Sequence, residues 1–133
     1  MLGTPGQERV HATAWPGSVI LGRGGLSLDA ASSLSSTAPH TTIHKAQIDF
    51  FGQPDADRLI DWYCQNDPTF VVYGVATDYC VRANAMGLLR RECRVAVVVD
   101  AIRAINPAAE AAVLRHLVDE GALLTMTEVV CGA

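Results

Sequence analysis

The second half of the chain alternates between two hydrophobic periods. Phe70-Val71-Val72-Tyr73 is an unbroken apolar run of β-branched and aromatic residues, which predicts a buried strand closed by Gly74. Val81, Ala85, Leu88 and Leu89 then recur at helical spacing, and Thr77 and Asp78 precede them where side-chain oxygens would cap a first helical turn. Arg94 to Asp100 carries a near-continuous valine run, the pattern of a strand buried on both faces of a parallel sheet. Asn106-Pro107 opens a further helix with proline at its first position. Ala111, Leu114, Leu117 and Val118 are its predicted inner face and Gly121 its stop. Leu123 to Thr127 is predicted as the last strand. Ahead of these elements, Pro54-Asp55-Ala56-Asp57 starts a helix whose apolar face is Leu59, Ile60, Tyr63 and Cys64, ending near Asn66-Asp67-Pro68.

The first half is less regular. Residues 1–16 read as a loop punctuated by Gly3, Pro5 and Gly6, and Gly17 to Leu21 as a short strand. Residues 22–40 read as a flexible Gly/Ser-rich connection. Gly22-Arg23-Gly24-Gly25 is not a phosphate loop, since no helix opens behind it. Thr41 to Lys45 is β-branched and predicts a strand with Lys45 at its end. The β-α-β-α-β order of the second half predicts parallel strands with right-handed crossovers. The expected fold is therefore α/β: three α/β/α layers around a doubly wound, mainly parallel sheet, as a single domain over residues 1–133. Sites in such sheets lie at the carboxyl ends of strands, where Lys45 and Cys80 both fall.

Composition narrows the function classes. Half of the 133 residues are hydrophobic and 18% are charged, a globular balance. The net charge of −4 comes without a basic patch, which argues against a nucleic-acid partner. No apolar run approaches the roughly eighteen residues of a membrane span, and the first residues lack a secretory signal pattern. The four cysteines, Cys64, Cys80, Cys93 and Cys131, are widely spaced with no C-x-x-C, so reduced thiols in a cytoplasm are expected rather than disulfides or structural zinc. His11 has no partner at ligand spacing, and His40 and His44 have no third ligand. Asp100, at the C-terminal end of its strand, is placed for a functional role, but a loop cap is the commoner use.

Cys80 falls at the mouth of a strand–turn–helix unit. There the helix N-terminus favours the thiolate, and backbone N–H groups can hold an oxyanion. On position alone a packed structural thiol is the commoner use. Gly74-Val75-Ala76-Thr77-Asp78-Tyr79-Cys80-Val81, however, resembles the nucleophile motif of the isochorismatase-like cysteine hydrolases, a superfamily that includes nicotinamidases, N-carbamoylsarcosine amidases and ureidoacrylate amidases. Gly3-Thr4-Pro5-Gly6-Gln7-Glu8 is similar to a G-T-P-G-A/Q-E loop of that family, and Lys45 with Asp49-Phe50-Phe51 resembles its lysine segment.

The resemblance implies hydrolysis of a small-molecule amide through a cysteine acyl-enzyme. Cys80 would be the nucleophile and Lys45 the supporting cation. The oxyanion hole would be formed by the N–H groups of Ala76 and Cys80, shaped by a cis peptide between Val75 and Ala76. A homo-oligomer is expected, and no cofactor. Metal-binding members carry their ligands upstream of the G-T-P-G loop, where this sequence has Met1 and Leu2. The family's first strand, with its Asp-x-Gln motif, has no counterpart either: no aspartate precedes Asp29, and Glu8 is the nearest acid. The expectation is an incomplete, N-terminally truncated domain that is inactive as written, with a misassigned start codon as one explanation. Two other readings stand beside the amidase. One is a non-catalytic member that keeps only the fold. The other is an isochorismatase-type ether hydrolase, which Cys80 opposes because members with that activity lack the cysteine.

Overall fold

The computed structural model describes residues 19–21, 41–45, 47–54 and 56–132. The chain divides into two compact units, Met1–His44 and Lys45–Ala133. In the first, β1 (Val19–Leu21) pairs in parallel with β2 (Thr41–Ile43), Val19 opposite Thr41 and Leu21 opposite Ile43. The predicted loop over 1–16 and connection over 22–40 lie outside the described residues. So do Glu8, His11, Asp29 and His40.

The second unit is built on a three-stranded parallel sheet in the order β3-β4-β5, formed by β3 (Thr69–Val75), β4 (Arg94–Arg103) and β5 (Leu123–Thr125). Helix α1 (Ala56–Cys64) precedes β3. Helices α2 (Arg82–Leu89) and α3 (Pro107–Asp119) make the two crossovers, and α4 (Thr127–Cys131) follows β5. The valine run explains why β4 is central. Val95, Ala96, Val97 and Val98 are all buried, so both of its faces are covered. Val95 and Val97 join a core with Ile60 of α1, Ala85 and Leu88 of α2, and Val113 and Leu117 of α3; Phe70 and Val72 of β3 pack against it. Val98, on the other face, lines an apolar groove with Val71, Tyr73 and residues of α4. The unit thus has helices on both faces of its sheet. Among the described residues, no helix is long and apolar enough to cross a membrane.

Several local expectations are corrected. Gly74 does not end β3 but lies within it at φ +113°, a conformation open to glycine, and the strand runs on to Val75. Nor is β3 buried throughout. Its alternate residues Val71, Tyr73 and Val75 are 41%, 71% and 72% exposed, because the helix on that face, α4, packs over β4. Val97 pairs with Val72 but Ile102 with Gly74, so β4 bulges between those pairs. Asp100 sits in that bulge, and its Oδ1 accepts the Thr127 N–H at 2.9 Å. Thr127 therefore opens α4 and does not extend the last strand.

In α3, Asn106 Oδ1 accepts the Ala108 N–H at 3.1 Å and Pro107 takes the first turn. Its inner face is Val113 and Leu117; Ala111 and Val118 are exposed, since the periodic row facing the sheet is set by the fully buried Leu117. Tyr63 is likewise 37% exposed, its ring edge-on to Trp62. Gly121, at φ +106°, donates its N–H to the Val118 carbonyl and closes α3.

Candidate active site

The turn that carries Cys80 is a single π-helical turn, Thr77–Val81, continuous with α2. It follows a peptide bond between Val75 and Ala76 that is cis. The Ala76 carbonyl accepts the N–H groups of Tyr79 and Val81, both at 3.1 Å, so Ala76 and not Thr77 or Asp78 occupies the cap position. The side chains expected to cap the helix reach instead across to the connection between β4 and α3. Fully buried Thr77 donates its hydroxyl to Glu110 Oε2 at 3.2 Å, and the same oxygen accepts the Ala104 N–H at 2.6 Å. Asp78 accepts the Ile105 N–H on Oδ1 and the Asn106 N–H on Oδ2, each at 3.0 Å. Two carboxylates therefore fasten the cysteine turn to the start of α3.

The Asn106 N–H holds the Asp78 carboxyl below the usual carboxylate range. The Ile105 N–H and the residue's own backbone add to this, against an opposing effect of desolvation. A depressed folded-state value stabilises the fold above the ordinary value of 3.8, and that stabilisation is lost as pH falls through the folded one. Asp78→Asn is therefore expected to be less stable than the parent at neutral pH, with the difference closing on acidification below pH 3.8. Urea midpoints for both proteins from neutral pH downward measure it, and a pH-independent difference would rule the linkage out.

Lys45 follows β2 by two residues in sequence and begins the second unit. Its Nζ donates to the Gln47 carbonyl at 2.9 Å and the Ile48 carbonyl at 2.6 Å, and stands 3.6 Å from Cys80 Sγ. The ammonium is thus fixed by its own downstream backbone and aimed at a half-buried thiol. The segment is in turn fastened to the cysteine helix. Asp49 Oδ1 caps a 3₁₀ turn, Phe50–Gly52, by accepting the Phe51 N–H at 2.9 Å, and Phe50 donates its own N–H to Asn84 Oδ1 at 2.9 Å. The Phe51 ring lies against Gly87 and under the Arg91 guanidinium, 3.8 Å from the ring centroid. Arg91 also donates through Nε to Asp57 Oδ1 of α1 at 2.6 Å. Cys80, Asn84, Gly87 and Arg91 recur at helical spacing, so one face carries every anchor of the Lys45 segment.

The structure therefore brings Lys45 and Cys80 together, with Val75 and Ala76 one turn ahead of the thiol. Sequence reasoning missed Asn84, Gly87 and Glu110. The signal for the first two was present, as small or polar residues interrupting the apolar pattern of α2. Among the described residues no carboxylate is placed against Cys80 Sγ, and no group of three or more His, Cys, Asp or Glu stands close enough to hold a metal ion. A groove of about 300 Å³ beside the cysteine turn is lined by Ile48, Asp49, Tyr79, Arg82, Arg90 and His116, among others, but by neither Cys80 nor Lys45.

Compared with known protein families, residues 7–129 match the isochorismatase domain. The chain belongs to the isochorismatase family. Solved structures agree on the fold of this isochorismatase-family chain. YcaC from Pseudomonas aeruginosa, solved with hexane-2,5-diol and covalent acrylamide, is 20% identical over 80% of this chain and 54% of its own, with a TM-score of 0.57. A pyrazinamidase/nicotinamidase from Streptococcus mutans is 23% identical over 73% of this chain and 53% of its own, also at 0.57. The YcaC gene product of Escherichia coli, described as an octameric hydrolase of unknown specificity, is 17% identical over 80% of this chain and 53% of its own, at 0.56. This isochorismatase-family chain thus spans about half the length of these proteins. No curated protein matches the sequence.

Proposed function

We propose that this chain carries the thiol centre of a cysteine amidohydrolase acting on small-molecule primary amides of the nicotinamide type. The observation that carries the reading is the Lys45 ammonium 3.6 Å from Cys80 Sγ, at the carboxyl end of β3 and the start of a helix. The Lys45 ammonium stands within pairing distance of the sulfur as it takes part in the reaction. The thiolate attacks the amide carbon, and the carbonyl oxygen takes the charge against the N–H groups of Ala76 and Cys80. Collapse of that intermediate forms a thioester and, with the proton given up by the thiol returned to the departing nitrogen, expels ammonia. Water then releases the carboxylic acid and returns the thiol. The thiol proton needs an acceptor, which the described residues do not supply.

The E. coli YcaC octamer supports assembly into a homo-oligomer. The four free thiols suit a cytoplasmic setting. A fold-only relative would have the same architecture without a preferentially reactive thiol.

Alkylation separates the two. Brief treatment with substoichiometric iodoacetamide, followed by peptide mapping, is expected to label Cys80 ahead of Cys64, Cys93 and Cys131. Nicotinamide is expected to slow that labelling and to release ammonia. Equal labelling of Cys80 and exposed Cys131, with no protection by nicotinamide or related amides, would sink the proposal.

A further inference from the structure

Away from the Cys80 site, a second pair of thiols is in contact. Cys64 Sγ, at the last residue of α1, is 3.3 Å from Cys93 Sγ, in the turn that enters β4. Cys93 is 9% exposed and lies 3.7 Å from the Arg91 carbonyl, while Cys64 is half-buried. Arg91 and Asp57 already join the same two regions through a 2.5 Å ion pair, so α1 and the turn after α2 are held in register around the sulfurs. We propose that Cys64 and Cys93 form a reversible disulfide, a redox brace between the end of α1 and the entrance to β4.

Closing the gap to the bonded length of about 2.05 Å asks for side-chain rotation within an existing contact. The oxidant is a low-molecular-weight disulfide of the glutathione class. The more exposed Cys64 thiolate attacks it, forming a mixed disulfide and expelling one small thiolate. Cys93 Sγ then attacks Cys64 Sγ; its proton passes to the second small thiolate as that leaves. Two S–H bonds are lost, one protein S–S bond forms, and the oxidant is reduced to two thiols. Burial, and then the neighbouring Cys64, push the Cys93 thiol up to about 11. Cys93, the more deeply buried of the two, is therefore the resolving partner and not the first attacker. The two cysteines are 29 positions apart, so the bond closes a long loop and restricts the unfolded chain.

The test uses the full 133-residue chain equilibrated in graded ratios of oxidised to reduced glutathione, acid-quenched, alkylated and mapped. The expected result is a Cys64–Cys93 cross-linked peptide with the loss of two hydrogens, reversed by dithiothreitol and accompanied by a raised thermal midpoint. Cys64→Ser and Cys93→Ser should each abolish it, and Cys131→Ser should leave it intact. Full alkylation of both cysteines at the most oxidising ratio would overturn the proposal, as would glutathione adducts without a cross-link, or a cross-link through Cys80 or Cys131.

Discussion

Cys80→Ser is expected to lower amide hydrolysis by about 10³-fold or more, about 4 kcal/mol in transition-state stabilisation. A serine hydroxyl ionises far less readily than a thiol, and Lys45 offers it a cation but no base. The fold should survive, because Cys80 is half-buried and the replacement is nearly isosteric. Three readouts separate chemistry from structure: ammonia release falls, the fast-alkylating thiol disappears, and the urea midpoint stays where it was. Retained turnover in this variant would remove Cys80 from the mechanism.

Gly87→Ala should destabilise the chain by about 1–2 kcal/mol, although alanine is the better helix former by about 1 kcal/mol. A Cβ at this position would lie 2.1 Å from both Cδ2 and Cε2 of Phe51. The ring is not free to swing away, since Arg91 covers it and Phe50 is anchored on Asn84. Overpacking of this kind costs about 1–3 kcal/mol, which outweighs the propensity gain. The 3₁₀ turn must shift, and the Lys45 segment leads directly into it. Cys80 should therefore alkylate more slowly as the urea midpoint falls. A variant more stable than the parent, with unchanged thiol reactivity, would show that Phe51 does not pack on this glycine.

The centre of the sheet was legible because β4 carries its burial in its composition. The valines of β4 could only be a central strand, and Asn106-Pro107 and Gly121 mark the ends of α3 through backbone chemistry that is local. The errors fall where a partner distant in sequence decides. Thr77 and Asp78 have the residue types of helix caps, but Glu110 and the N–H groups of Ile105 and Asn106 claim them. Thr127 continues an apolar strand pattern until the Asp100 carboxylate, 27 residues upstream, caps it as a helix start. In the candidate site, the cysteine and lysine came from motif resemblance. The means of holding them together did not, because a small residue such as Gly87 reveals its purpose only once Phe51 is seen against it.

The anchors along α2 also make the helix a measuring rod. Lys45 meets the π-helical turn leading into it at Cys80, Phe50 meets α2 itself at Asn84, and Phe51 about a turn further on at Gly87. Each residue of α-helix advances about 1.5 Å and turns about 100°, so a one-residue insertion or deletion on either strand of this ladder rotates one set of anchors out of line. The spacing of the anchors therefore matters as well as their identity. Between Lys45 and Phe51, and between Cys80 and Arg91, chain length is itself part of the geometry that sets Lys45 against Cys80.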